Sequence, residues 1–150
     1  MGYIKTCVVV LIIAMVFSLV LSYAEILTII QALESNTERV LDSFVIENAT
    51  QIYDSIKNGS DFTLGVNTSH FVESFSQDCK LDFYGGFLYN RDNNGRAIYW
   101  LTVPSINFAA EQSLKLNCTF DLIIPLTFAG KQVSTIRIPI KVNSSYNLKF

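Results

Sequence analysis

One histidine, three cysteines and one tryptophan in 150 residues leave little material for a chemical site. A metal centre needs clustered nitrogen and sulfur ligands. His70 and two distant cysteines do not supply them, and no Cys-x-x-Cys occurs. Gly85-Gly86 precedes a strand-like stretch rather than a helix, so no phosphate-cradling loop is indicated. Thiolate chemistry needs an adjacent base. Cys79 with His70 is the conceivable pair, and no third group is there to orient it. The expectation is a non-enzyme with no catalytic, cofactor-binding or metal-ligating residue and no small-molecule substrate. The formal net charge of −2 gives no reason to expect nucleic acid. There is no internal repeat and no low-complexity segment.

What the chain does have is an apolar start. Lys5 is the one charge in the first six residues, and Cys7–Leu21 (CVVVLIIAMVFSLVL) then has no charge and one hydroxyl. Apolar residues resume at Ile26, Leu27, Ile29 and Ile30. Two readings stand open. As one helix, the twenty-four residues of Cys7–Ile30 reach about 36 Å, enough for a hydrocarbon core of about 30 Å. Glu25 then falls near the outer interface. As a secretory signal, Lys5 is the basic region, Cys7–Leu21 the apolar region, and Ser22-Tyr23-Ala24 the small-residue cleavage site. Both readings send the remainder out of the cytoplasm, and Lys5 favours a cytoplasmic N-terminus. The domain division expected is a 1–30 anchor (or a 1–24 signal) and a 31–150 extracytoplasmic domain.

Ile26, Ile30, Leu33, Leu41, Phe44, Val45, Ile52 and Ile56 follow a period close to 3.6, so residues 25–58 read as one long amphipathic helix or two in series. Ser35-Asn36-Thr37-Glu38 fits a capping box and marks one place for a break. Asn58-Gly59-Ser60 is a helix stop. Residues 61–80 read as irregular, with Phe62, Leu64, Phe71, Val72 and Phe75 as core anchors.

From residue 81 the pattern turns to strands. Leu81–Tyr89 and Arg96–Val103 flank a turn containing Asn94-Gly95. Ser113–Leu122 alternates, placing Leu114, Leu116, Cys118, Phe120 and Leu122 inward. Ala129-Gly130-Lys131 reads as a turn. The strand through Ile136, Ile138, Ile140 and Val142 carries Pro139, which predicts an edge or a break. Tyr89, Tyr99 and Trp100 read as core or cross-strand residues, or as an aromatic face. The fold class expected is α+β: a transmembrane helix continuing into an amphipathic helix, packed on an antiparallel sheet of about four strands.

Cys79 and Cys118 are the natural disulfide pair if this part is extracellular; the alternative is two reduced, buried thiols. Five Asn-x-Ser/Thr sequons occur, at Asn48, Asn58, Asn67, Asn117 and Asn143, and would carry glycans in a eukaryotic secreted protein. Charge is uneven. Residues 25–61 hold seven acids (Glu25, Glu34, Glu38, Asp42, Glu47, Asp54, Asp61) against Arg39 and Lys57, a net of −5. Residues 80–150 hold eight bases and four acids, a net of +4. The halves can attract each other within one molecule or between neighbours, or both can be solvated surface.

Gly2-Tyr3-Ile4-Lys5-Thr6 before the apolar run, Asn36-Thr37-Glu38-Arg39-Val40-Leu41-Asp42 in the helix, and Ile138-Pro139-Ile140-Lys141-Val142 followed by Ser144-Ser145-Tyr146 resemble the TadE-like pseudopilins of tight-adherence pilus systems, in the variant of Gram-positive anaerobes. The likeness covers nearly the whole chain. It implies a pilin-like fold and a minor subunit or assembly factor of an envelope-spanning pilus or secretion machine. Its partners would be the membrane and other pilin-like subunits or secretion-system proteins. Processed pilins carry a glutamate near the fifth position after the cleaved glycine, where this chain has Cys7. That departure argues against the part of a polymerising major pilin.

Overall fold

The computed structural model describes residues 2–60, 66–110, 113–128 and 130–147. Asp61, Phe62, Leu64 and Ala129 lie outside the described residues. The chain divides into two units, Met1–Leu33 and Glu34–Phe150. Helix α1 (Gly2–Glu47) supplies the first unit and the opening helix of the second.

In the second unit, α1 is followed by α2 (Ala49–Lys57) and α3 (Thr68–Asp78). The expected capping-box break near residue 35 does not occur. Thr37, Val40, Leu41 and Phe44 form one buried row at helical spacing, and burying it continuously outweighs a local cap. The helix breaks instead at Asn48, whose Nδ2 donates to the Phe44 carbonyl at 2.8 Å. α2 ends before Asn58-Gly59, as the stop signal predicts, with Gly59 at φ +65°. α3 corrects the irregular reading of 61–80. Asn67 caps it, its Oδ1 accepting from the Ser69 and His70 amides at 3.1 and 3.4 Å. Phe71 and Phe75, one turn apart, are its buried face.

Six strands follow: β1 (Asp82–Tyr84), β2 (Phe87–Arg91), β3 (Ala97–Thr102), β4 (Ser105–Ala110), β5 (Ser113–Phe128) and β6 (Lys131–Asn147). The expected single strand Leu81–Tyr89 is a hairpin. Gly85 and Gly86, at φ +58° and +84°, make a two-residue turn that a side chain would disfavour at both positions. β4, beyond Pro104, was not expected.

The sheet is antiparallel throughout, ordered β1-β2-β3-β5-β4, with β6 paired to β5 alone. β6 occupies one side of β5 from Ser113 to Phe128, so β3 and β4 share the other side. Leu101 opposes Leu122 and Ser105 opposes Thr119, four residues against three, which marks a bulge at Val103-Pro104. Pro139 sits in the edge strand β6, opposite Asp121, without breaking it.

Leu88, Leu101, Leu114, Leu116, Cys118, Phe120, Leu122, Ile140 and Val142 share one face of this sheet and are buried. The helices cover that face through an aromatic seam. Phe108 stacks on Phe44 at 6.1 Å, Phe44 meets Phe71 edge-on at 5.6 Å, Phe71 stacks on Phe75 at 6.1 Å, and Phe75 tilts on Phe120 at 5.4 Å. The second unit is therefore a two-layer α+β domain. Phe75→Ala is expected to cost about 3–5 kcal/mol. Urea unfolding of the full chain in detergent, followed by Trp100 fluorescence, measures it; a loss under about 1 kcal/mol would show that the seam does not hold the layers.

Candidate functional site

The feature that most constrains function is the first unit. Helix α1 contains a span long and apolar enough to cross a membrane, and none of that span is buried by protein. Phe17, Leu19 and Tyr23 are among its exposed large side chains. Three hydroxyls at the ends of this span are bonded within the helix. Thr6, Ser22 and Thr28 donate to the carbonyls of Gly2, Ser18 and Ala24 at 3.0, 3.0 and 2.9 Å, so the helix itself satisfies them. Ser22-Tyr23-Ala24 lies inside this helix.

The expected Cys79–Cys118 disulfide is absent. Both cysteines are free and buried, and Cys7 is free and exposed. Topology explains why. Cys79 caps the C-terminus of α3, while Cys118 is a fully enclosed residue on the inner face of β5. Burial pushes the Cys79 thiol up to about 11, with a hydrogen bond from Asn36 and the Arg39 charge pulling the other way. Burial alone pushes Cys118 up to about 12. Both stay protonated at neutral pH and are poor nucleophiles. The conceivable Cys79–His70 pair is not formed. The two residues are nine positions apart along α3, about 13 Å of helix axis. His70 instead lies between Glu47 and Glu73, at 3.4 and 3.9 Å. No group of three His, Cys, Asp or Glu residues arranged to hold a metal exists among the described residues.

Sequence reasoning missed what surrounds Cys79. Arg39 Nη2 donates to Asn36 Oδ1 at 3.4 Å and pairs with Asp78 at 3.2 Å, tying α1 to the end of α3. It also missed Asp42, which accepts a short hydrogen bond from the Tyr146 hydroxyl, while Ser144 donates to that hydroxyl at 3.1 Å. Burial and the Asp42 contact raise Tyr146 to about 12. The sequence held no signal for the pairing with Tyr146, which lies 104 positions away.

The sheet face away from the helices carries two patches. Tyr89 and Trp100 are a cross-strand pair at 5.7 Å, joined by Tyr84 and Phe87, each 6.5 Å from Tyr89, and by Arg91 at 5.0 Å over the Tyr89 ring. Tyr99 points to the opposite face, where burial raises it to about 12. The second patch is polar. Asn107, Asn117 and Asn143 lie in one row across β4, β5 and β6, flanked by Lys115 and Lys141. A depression of about 560 Å³ opens beside Lys141, Thr119 and Asp121. A cleft of about 440 Å³ between the start of α3 and the Val103-Pro104 bulge has no ionisable lining. Of the sequons, Asn58 is exposed at a helix end, while the side chains of Asn48 and Asn67 are already hydrogen-bonded.

No protein-family model, curated protein or solved structure matches the chain.

The raised thiol and phenol groups make stability fall at alkaline pH. Their folded values exceed the unfolded ones, so their contribution is whole below pH 9 and is lost as pH rises through 9 to about 12. Replacing Cys79 and Cys118 by alanine should remove the part of the decline that starts near pH 9, leaving the tyrosine part above pH 10. Thermal unfolding against pH reads this. Dithiothreitol should leave the melting temperature of the unaltered chain unchanged.

Proposed function

We propose that this chain is a membrane-anchored, pilin-like structural subunit or assembly factor, held by one N-terminal helix and acting through protein contacts. The observation that carries this reading is the apolar span of α1, whose side chains find no cover within the molecule. Exposing so many large apolar side chains to water is costly, at about 25 cal/mol per Å². A bilayer removes that cost, and the helix bonds the hydroxyls of Thr6, Ser22 and Thr28 to its own carbonyls. Lys5 on the short N-terminal side favours a cytoplasmic N-terminus and an α+β domain outside. The TadE-like resemblance of the N-terminal, helical and C-terminal segments supplies the more specific reading, a component of a tight-adherence pilus or related secretion machine.

Nothing in this reading requires a disulfide. A Cys79–Cys118 bond would require the end of α3 and the inner face of β5 to move together.

Fractionation with intact-mass and N-terminal analysis tests the reading. Full-length protein starting at or next to Met1 and remaining in the membrane fraction is the expected result. Deleting residues 2–24 should release the protein from that fraction. A soluble chain beginning at Glu25 would overturn the anchor and make the protein a secreted or surface-exposed binding domain.

A further inference from the structure

The uncovered sheet face and the helix layer lie on opposite sides of the α+β domain, and they carry opposite charge. On the sheet face, Lys115 and Lys141 are exposed and enter no ion pair among the described residues; Arg137 is partly offset by Asp121 at 2.7 Å. Register places Lys115 beside Ser145 and Lys141 beside Thr119. The two lysines therefore sit four residues apart along neighbouring strands, about 13 Å. Between them lie Asn117 and Asn143, which add hydrogen-bonding groups and no bulky side chain.

On the helix side, Glu34, Glu38 and Asp42 form one exposed row. Four-residue steps of about 1.5 Å per residue spread this row over about 12 Å. Neither Glu34 nor Glu38 has a base three or four residues away in either direction. Like charges at this spacing oppose each other. Nothing in the molecule's own helix relieves them. The row of carboxylates matches the span between Lys115 and Lys141 in length and opposes it in sign, although Asp42 at its end also accepts from the Tyr146 hydroxyl of its own chain.

We infer that the β5–β6 outer face docks a second copy of this chain, with Lys115 and Lys141 receiving the Glu34–Glu38–Asp42 row of the neighbour's α1. This rests on the proposed structural role and names its contact. Because the two surfaces differ, one on β5 and β6 and the other on α1, the contact is head-to-tail. Each copy keeps one face of each kind available, so the contact extends into a row or closes into a ring.

The test uses full-length chain reconstituted in zwitterionic lipid vesicles, with donor or acceptor fluorophores on separate batches. Energy transfer should appear at low salt and fall at high salt, where exposed pairs are screened. Lys115→Glu/Lys141→Glu alone and Glu34→Lys/Glu38→Lys alone should each associate roughly tenfold more weakly, as expected for two reversed exposed pairs. Mixing the two variants should restore transfer, because each supplies the charge the other lost. Transfer unchanged in both variants, or loss without restoration on mixing, would overturn the proposal. So would a wild-type chain that shows no transfer, including one whose lysines matter only when anionic lipid is added. Fractionating the same samples separates the two readings. A chain that associates by this charge pattern yet is soluble keeps the docking surface and loses the anchor. A chain that stays in the membrane without charge-dependent association does the reverse.

Discussion

The α+β domain depends on one seam, the run of phenylalanines from Phe108 through Phe44, Phe71 and Phe75 to Phe120. Without it the sheet has one apolar face and the helices one apolar stripe, and neither is stable alone in water. The polar ties around the seam are oriented by it. Arg39 reaches Asp78 because Phe44 and Phe71 hold α1 against α3. Tyr146 reaches Asp42 because β6 is carried by β5, whose Phe120 is in the seam. These ties are partly exposed and individually contribute little. They set register between layers already brought together by apolar burial.

The clearest parts of the fold in the sequence were those governed by period. The alternation Leu114, Leu116, Cys118, Phe120, Leu122 fixes the inner face of β5, and the structure buries all five. Pro139 marks an edge strand because it cannot donate to a ladder, and β6 is that edge. Legibility failed where one local signal competed with another. Gly85-Gly86 looked like part of a strand, yet two positive-φ residues in succession form a turn. α3 was hidden because the Phe71–Phe75 repeat is only one turn long and its cap, Asn67, also reads as a sequon. Ser35–Glu38 looked like a helix start, but Thr37 is buried mid-helix.

The site was less legible than the fold, for a physical reason. Pairing of cysteines depends on distance in space, and the sequence carries only their separation along the chain. The structure puts one thiol at a helix end and the other on the sheet's inner face. The charge asymmetry was plain in the composition, but its geometry was not. Only the strand register shows that Lys115 and Lys141 share a face, and only the unbroken helix shows that Glu34, Glu38 and Asp42 share another.

The bond between Asp42 and Tyr146 spans 104 positions of chain. A ribosome adding about 5–20 residues per second needs roughly 5–20 s to make that stretch. Phe44 can meet Phe71 and Phe108 before then, but the tie from α1 to the edge strand waits for β6. Until Tyr146 is made, Asp42 on α1 lacks its partner on β6. The long-range topology thus makes the pairing of β6 with the finished seam the last step that synthesis permits, so the domain's edge closes after its core.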